Sequence, residues 1–230
     1  MDYYAIPYKP MISSLEQSTS LSHSRLVPAL SVPLPDNPIQ ITDSLAILEF
    51  LAESHPDLPL WPRDRALRAL ARSAVARMHS GLCRALQTTY HTNFLGRYTG
   101  NVPLSAEARV EVERVLALWG ELRRETARRL GELGGEDGGF LCGEFGIVDS
   151  FFWPVLWRFR SYGLPLVSAT PEALAWMKQM WSDPKMREIQ RDYHRQGERP
   201  ETAIPAYDDI FKDLSDVQYS WFPEDWEFYA

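Results

Sequence analysis

Apolar and polar positions change rhythm near residue 60. Before it, short apolar runs alternate with turn clusters. Tyr8 to Leu15 reads as a short strand, and Leu21 to Arg25 as a polar turn or short helix. Val27 to Val32 and Ile39 to Thr42 read as two strands, joined by the turn cluster Pro33-Leu34-Pro35-Asp36-Asn37-Pro38. Asp43-Ser44 then opens a helix reaching Ser54, with Leu45, Leu48 and Leu51 on one face. His55 to Pro62 is a proline-rich connection.

Beyond it the period is helical. From Asp64 to Tyr90, apolar residues recur at Leu67, Leu70, Ala71, Ala74, Val75, Met78, Leu82, Ala85 and Leu86, with arginines mostly on the other face. That spacing predicts one long amphipathic helix. Ser105 starts another, with Val112, Val115, Leu116, Trp119 and Leu122 inward, and the glycines from Gly134 to Gly139 end it. Ile147 to Tyr162 is apolar nearly all round and should be the buried central helix. Thr170-Pro171 and Asp183-Pro184 each place proline at a first helical position. From Gln196 the pattern dissolves into an acidic aromatic tail, which either folds over a substrate cleft or stays disordered; its tryptophans favour docking. The expected units are a mixed α and β unit over 1–58, a linker over 59–64, an all-helical unit over 65–197 and a tail over 198–230.

Composition narrows the function classes. Hydrophobic content of 45% with 24% charged residues is that of a soluble globular chain. The net charge of −7 argues against a general nucleic-acid partner, because phosphate neutralisation needs a basic surface. Two cysteines, Cys83 and Cys142, make no disulfide framework, and a reducing, cytoplasmic compartment is the expectation. The longest apolar run, Ile147 to Trp157, is interrupted by Asp149 and Pro154 and is too short for a bilayer, so no membrane partner is expected.

Two features carry the candidate chemistry. Proline inside the apolar stretch Leu26-Val27-Pro28-Ala29-Leu30 removes a ladder donor and belongs at an edge or a cis bend that exposes backbone. Asp43-Ser44 adds a carboxylate and a hydroxyl beside free helix N–H groups, a ready anion site. Together they describe a place to hold a small peptide, with backbone pairing its amide and a helix start taking its carboxylate.

In this setting the chain resembles the soluble glutathione S-transferases. The matching pieces, in family order and spacing, are Val27-Pro28-Ala29-Leu30, Thr42-Asp43-Ser44-Leu45-Ala46-Ile47, Leu60-Trp61-Pro62, Ala71-Arg72-Ser73 through Met78-His79-Ser80-Gly81, and Phe140 through Asp149. Met78-His79-Ser80-Gly81 and Phe159-Arg160-Ser161-Tyr162-Gly163 resemble a bacterial and fungal branch in particular. The resemblance implies a thioredoxin-like first domain binding glutathione, then an all-α helical-bundle domain supplying most of a pocket for a hydrophobic electrophile. It implies a homodimer. Val27 would pair its backbone with the cysteinyl amide of glutathione, flanked by Leu26 and Pro28. Asp43 and Ser44 would hold the γ-glutamyl group, and Arg25 would sit near the glycyl carboxylate.

Two departures from the family pattern stand out. Family members begin with a strand and helix, about 25 residues, that precede anything like Tyr3 to Tyr8 and carry the thiolate-stabilising residue. The first domain is therefore expected to be incomplete, and no catalytic residue is assigned. Gly146 stands where the family usually has a Ser or Thr cap.

The substrate side has competing readings. His79 either approaches the cleft or packs as a half-buried histidine. Met78 fits core better than substrate contact, and Tyr90 and Phe94 either line the electrophile pocket or pack ordinarily. Cys83 and Cys142 fit buried thiols, Asp149 fits a helix cap, and no metal site is expected. The expected function is a glutathione-dependent transferase acting on a hydrophobic electrophile, with a tailoring role in fungal secondary metabolism. The alternatives are a glutathione-dependent cis–trans isomerase and a non-catalytic glutathione-binding or interaction module.

Overall fold

A computed structural model describes every residue of the chain except Ser13, His23, Tyr229 and Ala230. The first unit is small. Strands β1 (Leu30–Val32) and β2 (Ile39–Ile41) pair antiparallel, with Leu30 opposite Ile41 and Val32 opposite Ile39. Helix α2 (Ser44–Ser54) follows at once and buries Ile47 and Leu51, one turn apart, while Leu45 and Leu48 stay half-buried. The strand expected over Tyr8 to Leu15 does not form. Pro7 and Pro10 cannot donate to a ladder, and the Ser14 hydroxyl accepts from the Gln17 N–H at 3.3 Å, opening helix α1 (Leu15–Leu21) instead. A 3₁₀ turn over Asp2–Tyr4 precedes it and packs on the helical unit, where the Tyr3 ring stacks on Phe145 at 3.8 Å.

The amphipathic stretch from Asp64 to Tyr90 is not one helix. It runs as α3 (Arg65–Arg77), a π-helical turn (Met78–Leu82) and α4 (Arg84–Thr89). The break falls at Gly81, whose φ of 108° is a conformation that side-chain-bearing residues rarely adopt. The new helix start is capped from a distance. The Glu111 carboxylate, on helix α5 (Ala106–Leu133), accepts from the N–H groups of Ala85 and Leu86 at 2.9 Å each. Apolar periodicity survives the break because the turn keeps the same face inward.

Helix α6 (Ile147–Tyr162) is the buried axis, and α3, α5 and α7 (Pro171–Ser182) surround it. Trp119, Trp157, Trp176 and Phe152 are among its fully buried neighbours and members. Gly146 explains itself here. A Cβ at that position would stand 3.0 Å from the Leu60 carbonyl, which accepts the Ile147 N–H at 2.9 Å. The connection from the first unit thus occupies the space a larger capping residue would need. Helix α8 (Pro184–Gly197) follows a second proline start, with Asp183 capping Lys185 and Met186.

The chain after α8 adds a sheet to the helical unit. After a 3₁₀ turn (Pro200–Thr202) and the short α9 (Pro205–Asp208), strand β4 (Val217–Trp221) pairs antiparallel with β3 (Gly96–Gly100), Gly96 opposite Trp221. Over its described residues the tail docks on the helical unit, against β3 and α7, and not over the residues expected to hold a ligand.

Two outcomes test this packing. Asp149 accepts from the Leu141 N–H (2.9 Å), the Gly146 N–H (3.0 Å) and the Trp176 indole N–H (2.8 Å). Asp149→Ala strands three buried donors and should cost at least about 3 kcal/mol in urea denaturation. Asp64 caps α3 and pairs with Arg129 at 2.8 Å, and that partner holds its carboxyl down to about 2. A lowered folded-state pKa is stability present above the ordinary carboxylate value and lost as pH falls toward 2. Asp64→Asn should therefore flatten the decline in melting temperature between about pH 4 and pH 2.

Candidate functional site

The strand register brings the two sequence features together. The β1–β2 pairing ends with Leu30 opposite Ile41, so the stretch just before Leu30, with Val27 and Pro28, and the Asp43-Ser44 pair just after Ile41 leave the same end of the ribbon. The Val27–Pro28 peptide bond is cis. Leu26 and Val27 are exposed, and the backbone N–H and C=O of Val27 have no hydrogen-bond partner among the described residues. The loop before them is held locally: the Leu26 N–H donates to the Ser24 hydroxyl at 3.2 Å and the Arg25 N–H to the Ser22 carbonyl at 3.0 Å. Arg25 adopts a φ of 57° and is exposed.

Asp43 has two distinct oxygens. Oδ1 caps α2, accepting from the N–H groups of Leu45 and Ala46 at 3.0 Å each. Oδ2 faces away from the helix and lies 3.3 Å from His79 Nε2. Both side chains are about half exposed, so the pair is open to solvent. His79 reaches it from the π-helical turn and rests edge-on against Phe151 of α6 at 5.9 Å. A second link runs parallel to it. Glu49 of α2 accepts from the Trp61 indole N–H (3.1 Å) and pairs with Arg72 of α3 (3.4 Å), whose guanidinium lies 5.4 Å from the Trp61 ring. Sequence reasoning placed His79 and Asp43 in separate groups and passed over Glu49 and Phe151, because no local pattern relates α2 to a turn more than thirty residues away.

The other substrate-side residues lie elsewhere. Met78 is buried in the core on the opposite side of the turn. Tyr90 is 2% exposed; its hydroxyl donates to the Pro103 carbonyl at 2.5 Å, and its ring packs on Tyr162 and Phe211. Both side chains are buried, which is the core packing weighed against a pocket wall for each of them. Phe94 is 38% exposed, but it stacks on Tyr193 at 4.5 Å and meets Trp157 edge-on, under the docked tail and not with Asp43.

Other groups in the fold are less available. Burial pushes the thiols of Cys83 and Cys142 up to about 12, which leaves them protonated and unreactive. Among the described residues no group of three His, Cys, Asp or Glu gathers to hold a metal ion, and no helix is long and apolar enough to cross a membrane. Two concavities flank α8. One, of about 620 Å³, lies between α8 and the 3₁₀ turn over Asp2–Tyr4, with Tyr3, Tyr4 and Lys185 in its wall. The other, of about 290 Å³, lies between α8 and the tail. Neither includes a residue of the cis-proline loop or the α2 start.

Comparison with known proteins adds a family context. Residues 103–179 match the family model of the glutathione S-transferase C-terminal domain. Among curated proteins, the chain is 38% identical to a probable maleylacetoacetate isomerase of Caenorhabditis elegans over 73 residues, which is 31% of this chain and 34% of that protein. It is 35% identical to a maleylacetoacetate isomerase of Dictyostelium discoideum over 86 residues, 37% of this chain and 39% of that protein. The matches thus span little more than a third of either isomerase. A stringent starvation protein A homolog of Haemophilus ducreyi is 25% identical over 171 residues, 74% of this chain and 71% of that protein. The fold is that of glutathione transferases. A Burkholderia graminis glutathione transferase, solved with two glutathione molecules per subunit, superposes with a TM-score of 0.56 at 20% identity, over 84% of this chain and 81% of that one. A maleylacetoacetate isomerase from Anaeromyxobacter dehalogenans, solved with dicarboxyethyl glutathione and citrate, gives 0.52 at 22% identity, over 83% and 78%.

The helix cap and the cross-unit pair separate by mutation. Asp43→Ala should lower stability by about 1 kcal/mol in urea denaturation through the lost cap. His79→Ala removes an exposed pair and one edge contact with Phe151 and should change it by less than about 1 kcal/mol.

Proposed function

We propose that the chain binds glutathione at the end of the β1–β2 ribbon and uses its thiol on a conjugated, electrophilic small molecule. One observation carries the reading: an unpaired stretch of exposed backbone at Val27 and the polar start of α2 leave the same end of the β1–β2 ribbon. A tripeptide needs both. Its cysteinyl amide pairs with the Val27 backbone. Its γ-glutamyl carboxylate takes the Ser44 hydroxyl and the Ser44 N–H, the helix donor the cap does not use, and its ammonium shares Asp43 Oδ2 with His79. Arg25, exposed beside the loop, receives the glycyl carboxylate. The glutathione ligands of the two solved neighbours support the same choice.

The chemistry that follows is thiolate addition to an activated double bond. Retaining the adduct makes the chain a transferase. Reversing the addition after rotation about the former double bond makes it a cis–trans isomerase, the second reading, favoured by the names of two curated relatives and one solved neighbour. Either needs a donor aimed at sulfur to lower the thiol pKa, and none of the residues named for the site supplies it. A role in secondary metabolism, a homodimer and a cytoplasmic location belong to this proposal.

The test separates charge from cap. Asn caps a helix as well as Asp, so Asp43→Asn keeps α2 and removes only the anion. Calorimetric titration with glutathione should show affinity falling about tenfold in that variant. Equal affinity for the two proteins, or no binding by the unaltered chain, refutes the site. With a conjugated cis-enone, loss of free thiol marks the transferase, and a trans product with thiol conserved marks the isomerase.

A further inference from the structure

Arg160 is held in an unusual way. It extends from α6 with its guanidinium 4.1 Å from the Trp157 ring, 4.1 Å from Phe222, 5.1 Å from Trp226 and 5.3 Å from Trp181. Its Nη2 donates to the Phe94 carbonyl at 2.7 Å, while its Nε is buried with no hydrogen-bond partner. No carboxylate pairs with it among the described residues. Desolvation alone pulls its pKa below the ordinary value, yet a guanidinium stays charged at neutral pH. A mostly buried cation is thus balanced by ring faces and a single carbonyl.

The cage is made in two halves. Trp157 and Trp181 belong to α6 and α7, whereas Phe222 and Trp226 belong to the tail. Neither half surrounds the guanidinium alone. The tail's other attachments are weak. The β3–β4 ribbon has only two strands, which is marginal without further packing. In β4 only Val217 is half-buried, and the following four side chains are exposed. The Arg187–Glu227 pair at 2.8 Å lies at the surface and contributes little. Beyond these, the Phe222 N–H donates to the Leu95 carbonyl at 2.9 Å, the Tyr219 hydroxyl donates to Asp208 at 2.6 Å beside the Tyr98 ring, Arg97 lies 5.5 Å from the Phe222 ring, and Trp226 meets Trp181 edge-on. Leaving the body would also return Arg160 to water, which offsets part of the ring attraction.

We propose that the segment from Val217 to Phe228 is a detachable strap, that Arg160 is its clasp, and that release uncovers the Trp181 ring and the Arg160 side of Trp157. The strap opens locally, with the helical body intact. Planarity matters as much as charge, because the guanidinium lies between Trp157 of the body and Phe222 of the tail.

Hydrogen exchange followed by mass spectrometry on the full chain tests this. Arg160→Gln and Phe222→Ala should each speed exchange in the peptides covering Gly96–Gly100 and Val217–Phe228 by about tenfold, within the range of lost cation–π contacts, with α5 unchanged. The double variant should exchange no faster than the quicker single, since both break one clasp. Ribbon exchange unchanged in both single variants, or rising only in step with α5, overturns the proposal. Should Arg160→Gln fail to fold, Phe222→Ala decides alone by the same criterion.

Discussion

A buried carboxylate with no charged partner among the described residues organises the helical unit. Asp149 gathers the N–H groups of Leu141 and Gly146 and the indole of Trp176, so the loop before α6, the start of α6 and the side of α7 converge on one acceptor. The arrangement tolerates no partial version, because a buried donor left unpaired costs more than a made bond returns. It also sets where the first unit attaches. The Leu60 carbonyl bonds the Ile147 N–H one residue past Gly146, so the linker is pinned to the same helix start.

From that anchor the two units meet along α2 and α3. Glu49 with Trp61 and Arg72, and Asp43 with His79, are side-chain links across this line. The second of them lies at the candidate site. An aspartate that caps one helix with one oxygen and meets a neighbouring element with the other is structural and available at once. This division of labour keeps the polar end of α2 open, while the apolar side chains of Met78 and Tyr90, close to His79 in sequence, turn into the core.

The opposite side of the molecule follows a different logic. There the tail is joined by aromatic contact and one enclosed cation, with little strand burial. Docking of this kind depends on edge-on ring contacts and on ring faces meeting one cation. It is therefore more easily undone than the core beneath it, where Trp119 and Trp176 are closed on all sides.

Local chemistry made much of this chain legible before any coordinates. Asp43, Asp64, Ser105, Thr170 and Asp183 all cap the helices they precede, because a cap needs only the next three residues. The turn cluster between β1 and β2 and the all-round apolar run of α6 are readable for the same reason. The strand expected at Tyr8 to Leu15 failed where apolar alternation outweighed its prolines and the Ser14 cap. The distant Glu111 cap on α4, the pairing of β3 with β4, the meeting of His79 with Asp43 and the cage around Arg160 were decided by tertiary structure alone. Each requires a partner tens of residues away, and only the folded path of the chain specifies which distant groups come within bonding reach.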